Sequence, residues 1–197
     1  PEKPVYIIPM AADSPAFVPL ERIACRRELN LPPFKTIIGY CGSIHRSRGI
    51  DTLLGAYDIL KKSCQETDLV LTGRMGKRVT LPDAVKWLGY LPDEKVPIFL
   101  NSLNVSVVSN RISSFGSYSY PVKLYEAMKC QIPVIATDTP PANWILKGDE
   151  RFLARPDDPH DLADKIRQNL TLDRMDYGEQ TSWEQSCKIL EEVLLRL

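Results

Sequence analysis

Apolar positions along the chain follow two rhythms. Short runs rich in β-branched and aromatic residues, at 5–8, 36–40, 69–71, 85–88, 105–108 and 133–136, read as strands. Several are apolar at successive positions, as strands covered on both faces should be. Longer stretches between them carry apolar residues three and four apart. Ile50, Leu53, Leu54, Tyr57 and Leu60 form one stripe, with Asp51, Asp58 and Lys61 left for solvent. Leu124, Ala127 and Met128 mark a second helix over 121–129, with Pro121 suited to its first turn because a missing N–H costs nothing there. A third helix begins near Pro159 and buries Leu162, Ala163 and Ile166. The tail over 181–197 is amphipathic through Trp183, Cys187, Leu190, Val193 and Leu197, behind an N-cap at Thr181 or Ser182.

Strands alternating with helices predict an α/β fold, a doubly wound parallel sheet with helices on both faces. The chain has 197 residues, which suits a single Rossmann-like domain over 1–197. Ligands of such sheets sit outside the carboxyl ends of the strands, so the loops at 42–49, 73–77, 89–93 and 110–121 are where chemistry is expected.

Charge adds a constraint. Lys plus Arg total 25 and Asp plus Glu total 25, so no net field draws the whole molecule to nucleic acid, and any anion must be held locally. The five cysteines lack C-x-x-C spacing and read as reduced, mostly buried, cytoplasmic thiols. No run is long enough to span a membrane. The chain opens on Pro1 with no signal-peptide pattern, and reads as a piece of a longer protein.

The first loop, Gly42-Ser43-Ile44-His45-Arg46-Ser47-Arg48-Gly49, joins a strand to a helix. Its glycines permit close backbone approach, the helix start offers N–H groups, and Arg46 and Arg48 add positive charge: the makings of a diphosphate site. A tight turn with two solvated arginines would look the same. G-x-G-x-x-G is absent after this strand, and Gly73-Arg74-Met75-Gly76-Lys77-Arg78 lacks the spacing and hydroxyl of a Walker A loop. The loop from Ser113 to Glu126 leads small and hydroxylated residues into a helix start, with Lys123 in the first turn and Glu126 one turn on. A carboxylate there can accept two hydrogen bonds from a vicinal diol such as a ribose, or simply compensate the helix dipole. His45, His160 and the three tryptophans read as structural. Asp157, Asp158 and Asp161 read as helix capping rather than a metal site.

Together, Gly42-x5-Arg48-Gly49, Pro121-Val122-Lys123-Leu124-Tyr125-Glu126-Ala127-Met128 and Cys130-x-x-Pro133-Val134-Ile135-Ala136-Thr137 resemble the C-terminal half of a retaining GT-B-fold glycosyltransferase of family four. The residues from Val5 to Asp13 are similar to the segment leading from that family's hinge, giving a hinge-proximal stretch over 1–15. Trp87-Leu88-Gly89-Tyr90-Leu91-Pro92 is similar to its loop beside the nucleotide base, and Pro156-Asp157-Asp158-Pro159-His160-Asp161-Leu162-Ala163 to its usual helix start.

The resemblance implies transfer of a sugar from a nucleoside-diphosphate sugar with retention at the anomeric carbon, this chain being the donor-binding half. The acceptor would be held by an N-terminal domain outside the chain. Arg48 and Glu126 are then the catalytic candidates. Gly42, Ser43, Arg46, Arg48, Gly73, Tyr90, Leu91, Tyr118, Ser119, Tyr120, Pro121, Val122, Lys123, Leu124 and Glu126 are the donor-binding ones. Glu126 matches the second glutamate of the family's E-x7-E element; the first falls at Tyr118, and Ser43 stands where many members carry arginine. No metal or other cofactor is implied, nor a nucleic-acid partner. Peripheral association of the full-length protein with a membrane is compatible with the family. A non-catalytic nucleotide-sugar-binding module and a GT-B-fold sugar-nucleotide epimerase are the rival expectations.

Overall fold

Six segments pair into one sheet in which every neighbour runs parallel: Thr36–Cys41 (β1), Thr67–Thr72 (β2), Val85–Trp87 (β3), Val105–Val108 (β4), Val134–Thr137 (β5) and Leu153–Ala154 (β6). The strand order is β3-β2-β1-β4-β5-β6. The computed structural model describes residues 4–11, 15–63 and 66–196; the sequence-predicted features at Pro1, Asp13, Cys64 and Leu197 lie outside them.

From β1 the chain builds outward to one edge, then returns to the other side of β1 with β4 and builds to the opposite edge. This order puts the reversal between β1 and β4, where a doubly wound sheet opens a crevice at its carboxyl edge. Side chains alternate across a strand, so the unbroken burial of residues 37–40 in β1 and of all of β5 requires cover on both faces. Ile37, Ile38, Leu69, Leu71, Phe99 and Leu103 form the centre of that core.

The helices are Arg22–Glu28 (α1), Ile50–Ser63 (α2), Val96–Asn101 (α3), Val122–Lys129 (α4), Pro140–Ile145 (α5), Pro159–Asn169 (α6) and Trp183–Leu195 (α7). α2 packs against α6 and α1 against α3. Asp158 caps α6 by accepting from the N–H groups of His160 and Asp161, and Ser182 and Gln185 form a reciprocal capping box on α7. In α4 Pro121 takes the cap position, one residue before the helical turn expected for it.

Four sequence expectations are corrected. Residues 5–8 form no strand, and Val5 and Ile7 are largely exposed. Their β-branched pattern pairs with no strand among the described residues, and the sheet is built from residues 36–154. α7 does not turn its apolar stripe inward: its buried residue is Ser186, whose Oγ donates to Pro9 O at 2.6 Å, while Trp183, Cys187 and Leu190 face out and Val193 is half-buried. Trp87, Trp144 and Trp183 are about half exposed rather than core aromatics. Of the cysteines, Cys25 and Cys130 are buried, Cys41 is half-buried and Cys187 is exposed.

Candidate functional site

At the β1/β4 reversal two cavities adjoin. The first, of about 320 Å³, is lined by Tyr40, Gly42, Ser43, Arg48, Asn110, Ser119, Tyr120 and the first turn of α4 from Pro121 to Lys123. The second, of about 290 Å³, runs beneath the β2 and β3 ends along Thr72, Gly73, Arg74, Tyr90, Leu91 and Asp93. They share Cys41, Gly42, Ser43 and Lys123 as a common wall.

The loops are stitched in place. Tyr40 Oη donates to Ser43 O at 2.9 Å and Gly42 N–H to Thr72 O at 3.0 Å. Gly73 N–H donates to Gly89 O at 2.8 Å, and Trp87 Nε1–H donates to Gly73 O at 3.1 Å. Gly73 has φ +129°, and a Cβ on it would lie 1.9 Å from Gly42 O, so two loops meet here only because the side chain is missing. On the other wall, Ser109 Oγ donates to Arg48 O at 2.8 Å and Asn110 N–H to Thr137 Oγ1 at 3.0 Å, tying the β4 exit to the turn that carries Arg48.

Arg48 sits in a single 3₁₀ turn at 46–48, closed by Gly49 in the left-handed conformation with φ 67°. Its Nη1 donates to Ser119 Oγ at 3.0 Å and more weakly to Asn110 Oδ1 at 3.4 Å, and its guanidinium lies 4.6 Å from the Phe115 ring centroid. No described carboxylate pairs with it, so its charge is aimed into the cavity unneutralised. No side chain caps α4, whose first turn lines the same space; there the Val122 and Leu124 N–H groups donate to Tyr120 O at 3.1 Å and Pro121 O at 2.9 Å, so the turn acts on the cavity mainly through the helix dipole. A guanidinium and the positive end of a helix around one cavity suit an anion.

Glu126 lies one turn below, buried, against Lys123. Lys123 Nζ donates to Oε1 at 3.1 Å and stands 2.9 Å from Oε2, but out of line for a hydrogen bond, so Oε2 is buried without a directed donor. Burial raises the Glu126 pKa above 4.5, Lys123 pulls it back in part, and Asp93 adds to the rise. Burial works to lower the Lys123 pKa, but the hydrogen bond and charge of Glu126 outweigh it and the net shift is upward. Burial pushes the neighbouring Cys41 thiol up to about 11, leaving it a protonated wall residue.

Of the sequence-predicted residues, Gly42, Ser43, Arg48, Ser119, Tyr120, Pro121, Val122 and Lys123 line the first cavity, and Gly73, Tyr90 and Leu91 the second. Leu124 is wholly buried in the core behind them. Three residues stand apart. Glu126 lines neither cavity and lies buried behind Lys123. Tyr118 is 78% exposed and lines neither cavity. Arg46 points to a different cavity and reaches Asp51 at 3.7 Å. Asn110, Asp93 and Arg74 also line the site; all three fall in the loops the carboxyl-edge rule selects, but nothing in their local sequence distinguishes them.

Comparison with known proteins places this geometry. Residues 35–171 match the family model described as Glycosyl transferases group 1. The O-antigen chain mannosyltransferase B of Escherichia coli is 26% identical over 165 residues, covering 74% of this chain and 42% of that protein. The chain spans about half or less of the length of the curated relatives it matches. Among solved structures, the C-terminal domain of the glycosyl transferase group 1 family protein LpcC from Francisella tularensis superposes with a TM-score of 0.69 at 22% identity, covering 82% of this chain and 89% of that one. Anabaena Alr3699/HepE, solved in complex with UDP and glucose, superposes with a TM-score of 0.71 at 16% identity, covering 97% and 56%. At these identities the structural likeness speaks for the fold.

Proposed function

The chain belongs to the glycosyl transferases group 1, and from that premise we propose that it is the donor-binding half of a retaining glycosyltransferase. The observation that carries the reading is the placement of Arg48 and the uncapped α4 start on one cavity at the β1/β4 reversal. Relatives bear names of sugar transferases, and a neighbour of the same fold was solved with UDP and glucose, which supports a nucleoside-diphosphate hexose as the ligand.

The diphosphate lies in the first cavity, against Arg48 and the positive end of α4. The nucleoside extends into the second, where Tyr90 and Leu91 bound the base. Glu126 lines neither cavity, but Lys123 on their shared wall covers it, and its Oε2, which lacks an aligned donor, is the acceptor for a ribose hydroxyl once Lys123 swings aside. When the diphosphate departs, the negative charge developing on it is met by a guanidinium and a helix dipole already in place. No metal is needed, because those groups supply the charge stabilisation. The acceptor hydroxyl, held by a domain outside this chain, attacks from the face the leaving group vacates and gives its proton to the departing diphosphate, retaining the anomeric configuration. No helix among the described residues is long and apolar enough to cross a membrane; we place the reaction in the cytoplasm, where nucleotide sugars are the substrate pool.

The exposure of Tyr118, where the family pattern has a glutamate, favours a second reading: a module that binds nucleotide sugars without transferring them. Assaying the full-length parent with nucleotide sugars separates the two. The product is expected to keep the donor's anomeric configuration. Tight nucleotide binding with no transfer to any acceptor supports the binding module, and an inverted product refutes the retaining mechanism.

A further inference from the structure

Beyond the donor cavity, the loops that follow β1 and β2 run side by side. Ile44 N–H donates to Arg74 O at 2.9 Å, Gly76 N–H donates to Ile44 O at 2.9 Å, and Ile44 and Met75 form an isolated parallel bridge. Ile44 is fully buried, whereas its neighbours His45 and Arg46 are exposed. On the facing loop a turn closed by Val79 N–H to Gly76 O at 3.2 Å exposes Lys77 and Arg78. With Val79, these four side chains line a cavity of about 530 Å³.

This concentration of positive charge is not inherited from a basic protein, since 25 basic residues balance 25 acidic ones. Among the described residues, Asp51 is the carboxylate that meets the cluster, 3.7 Å from Arg46 Nε with both side chains mostly exposed. Such pairs contribute little. Lys77 and Arg78 pair with no described carboxylate. His45 Nδ1 is occupied by Ser47, 3.2 Å from its N–H and 2.8 Å from its Oγ, which leaves Nε2 as the ring nitrogen open to a ligand. Three cationic side chains beside an imidazole, which can donate or accept, suit a phosphate ester, whose oxygens accept from all three cations.

The cluster borders the donor cavity without belonging to it. Ser43 lines that cavity, and His45 follows two residues on, at most about 7 Å away along the chain. Arg46, Lys77 and Arg78 line neither donor cavity, and the donor diphosphate already has Arg48. We propose that His45, Arg46, Lys77 and Arg78 form a second anion subsite, which takes a phosphate group carried by the acceptor. The proposal rests on the donor-binding reading above, since it defines which substrate is the acceptor.

The test is calorimetric titration of the chain with glycerol 3-phosphate, a soluble phosphomonoester, alone and with whichever of UDP, GDP or ADP binds held at saturation. Binding is expected in both conditions. The Arg46→Ala/Arg78→Ala variant, whose sites are exposed and whose melting temperature should hold, is expected to weaken it about tenfold or more. Arg48→Ala is expected to leave it within about twofold while weakening the nucleotide. Absence of binding at millimolar concentration overturns the proposal. So does competition with the nucleotide, or loss on Arg48→Ala, either of which puts the anion in the donor cavity. Binding to phosphatidylglycerol vesicles with none to glycerol 3-phosphate overturns it in favour of a membrane contact. Binding of glycerol 3-phosphate through Arg46 and Arg78, with none of the three nucleotides bound, overturns the donor reading and with it the acceptor role.

Discussion

Glu126 is the residue whose state the site most depends on. It is buried, its Oε1 is taken by Lys123, and its Oε2 has no aligned donor. If Oε2 receives a ribose hydroxyl, Glu126→Gln should weaken ribonucleotide binding by about 1–3 kcal/mol. A 2′-deoxy nucleotide should bind the wild type less tightly and lose less on mutation, and the cycle between protein and ligand isolates that coupling. Equal losses for ribo- and deoxyribonucleotide would leave Glu126 a purely structural partner of Lys123. The raised pKa adds a second signature. A glutamate whose folded pKa lies above 4.5 binds its proton more tightly in the folded state, so its contribution to stability is complete below the unfolded value and is lost as pH rises through the folded one. Ribose recognition runs the other way, because the carboxylate is the better acceptor. Nucleotide affinity should therefore rise with pH above 4.5 in the wild type more than in Glu126→Gln, the difference between the two curves removing the ligand's own titration.

Arg48 gives a complementary expectation. Its neighbours Ser119, Asn110 and Phe115 are neutral, so its charge is free for a ligand. Arg48→Ala should cost about 1.5–3 kcal/mol in diphosphate binding and leave the bare nucleoside nearly unaffected. Equal losses for both would place its action on the loop rather than on the phosphates.

At the scale of elements, periodicity identified the long helices and the central strands, because a stripe at 3.6 residues or an unbroken apolar run is itself the signature of what covers it. It missed α1, α3, α5 and β6, which have between two and seven residues and are too short for a period to register. It failed differently at 5–8 and in α7, where the apolar pattern is real but no described part of the chain covers it. A pattern reports which side wants burial, and only tertiary structure says whether burial is supplied. The site followed the same rule. Gly42, Arg48 and Lys123 line the cavity to which loop position and charge point, whereas Arg46 lines a separate cavity with Lys77 and Arg78, a grouping across two loops that local sequence does not show. α7 is joined to the amino-terminal segment by the buried bond from Ser186 to Pro9. Ser186→Ala should release that segment at a cost of about 0.5–1.5 kcal/mol, read as faster proteolysis near residue 9 with the helical signal unchanged. Unaltered cleavage would show that other contacts hold the segment.

For the molecule as a whole, the consequence to test is that donor recognition is self-contained. Both cavities are built from one sheet and its loops, and every group assigned to the nucleotide lies between Tyr40 and Glu126. The chain should therefore bind nucleoside diphosphates by itself. A ligand that binds only the folded state adds about 2.7 kcal/mol at a hundredfold excess over its dissociation constant. For a domain of this size that is a rise in melting temperature of roughly 5–10 °C. Of UDP, GDP and ADP, one should stand out, because a cavity of about 290 Å³ lined by Tyr90, Leu91 and Asp93 does not suit a pyrimidine and a purine equally. Sugar transfer by the chain alone should be undetectable, since on the donor-half reading nothing here holds the acceptor hydroxyl in line. A flat melting profile with all three nucleotides would remove the donor site, and transfer by the isolated chain would show that the acceptor is held within these same loops.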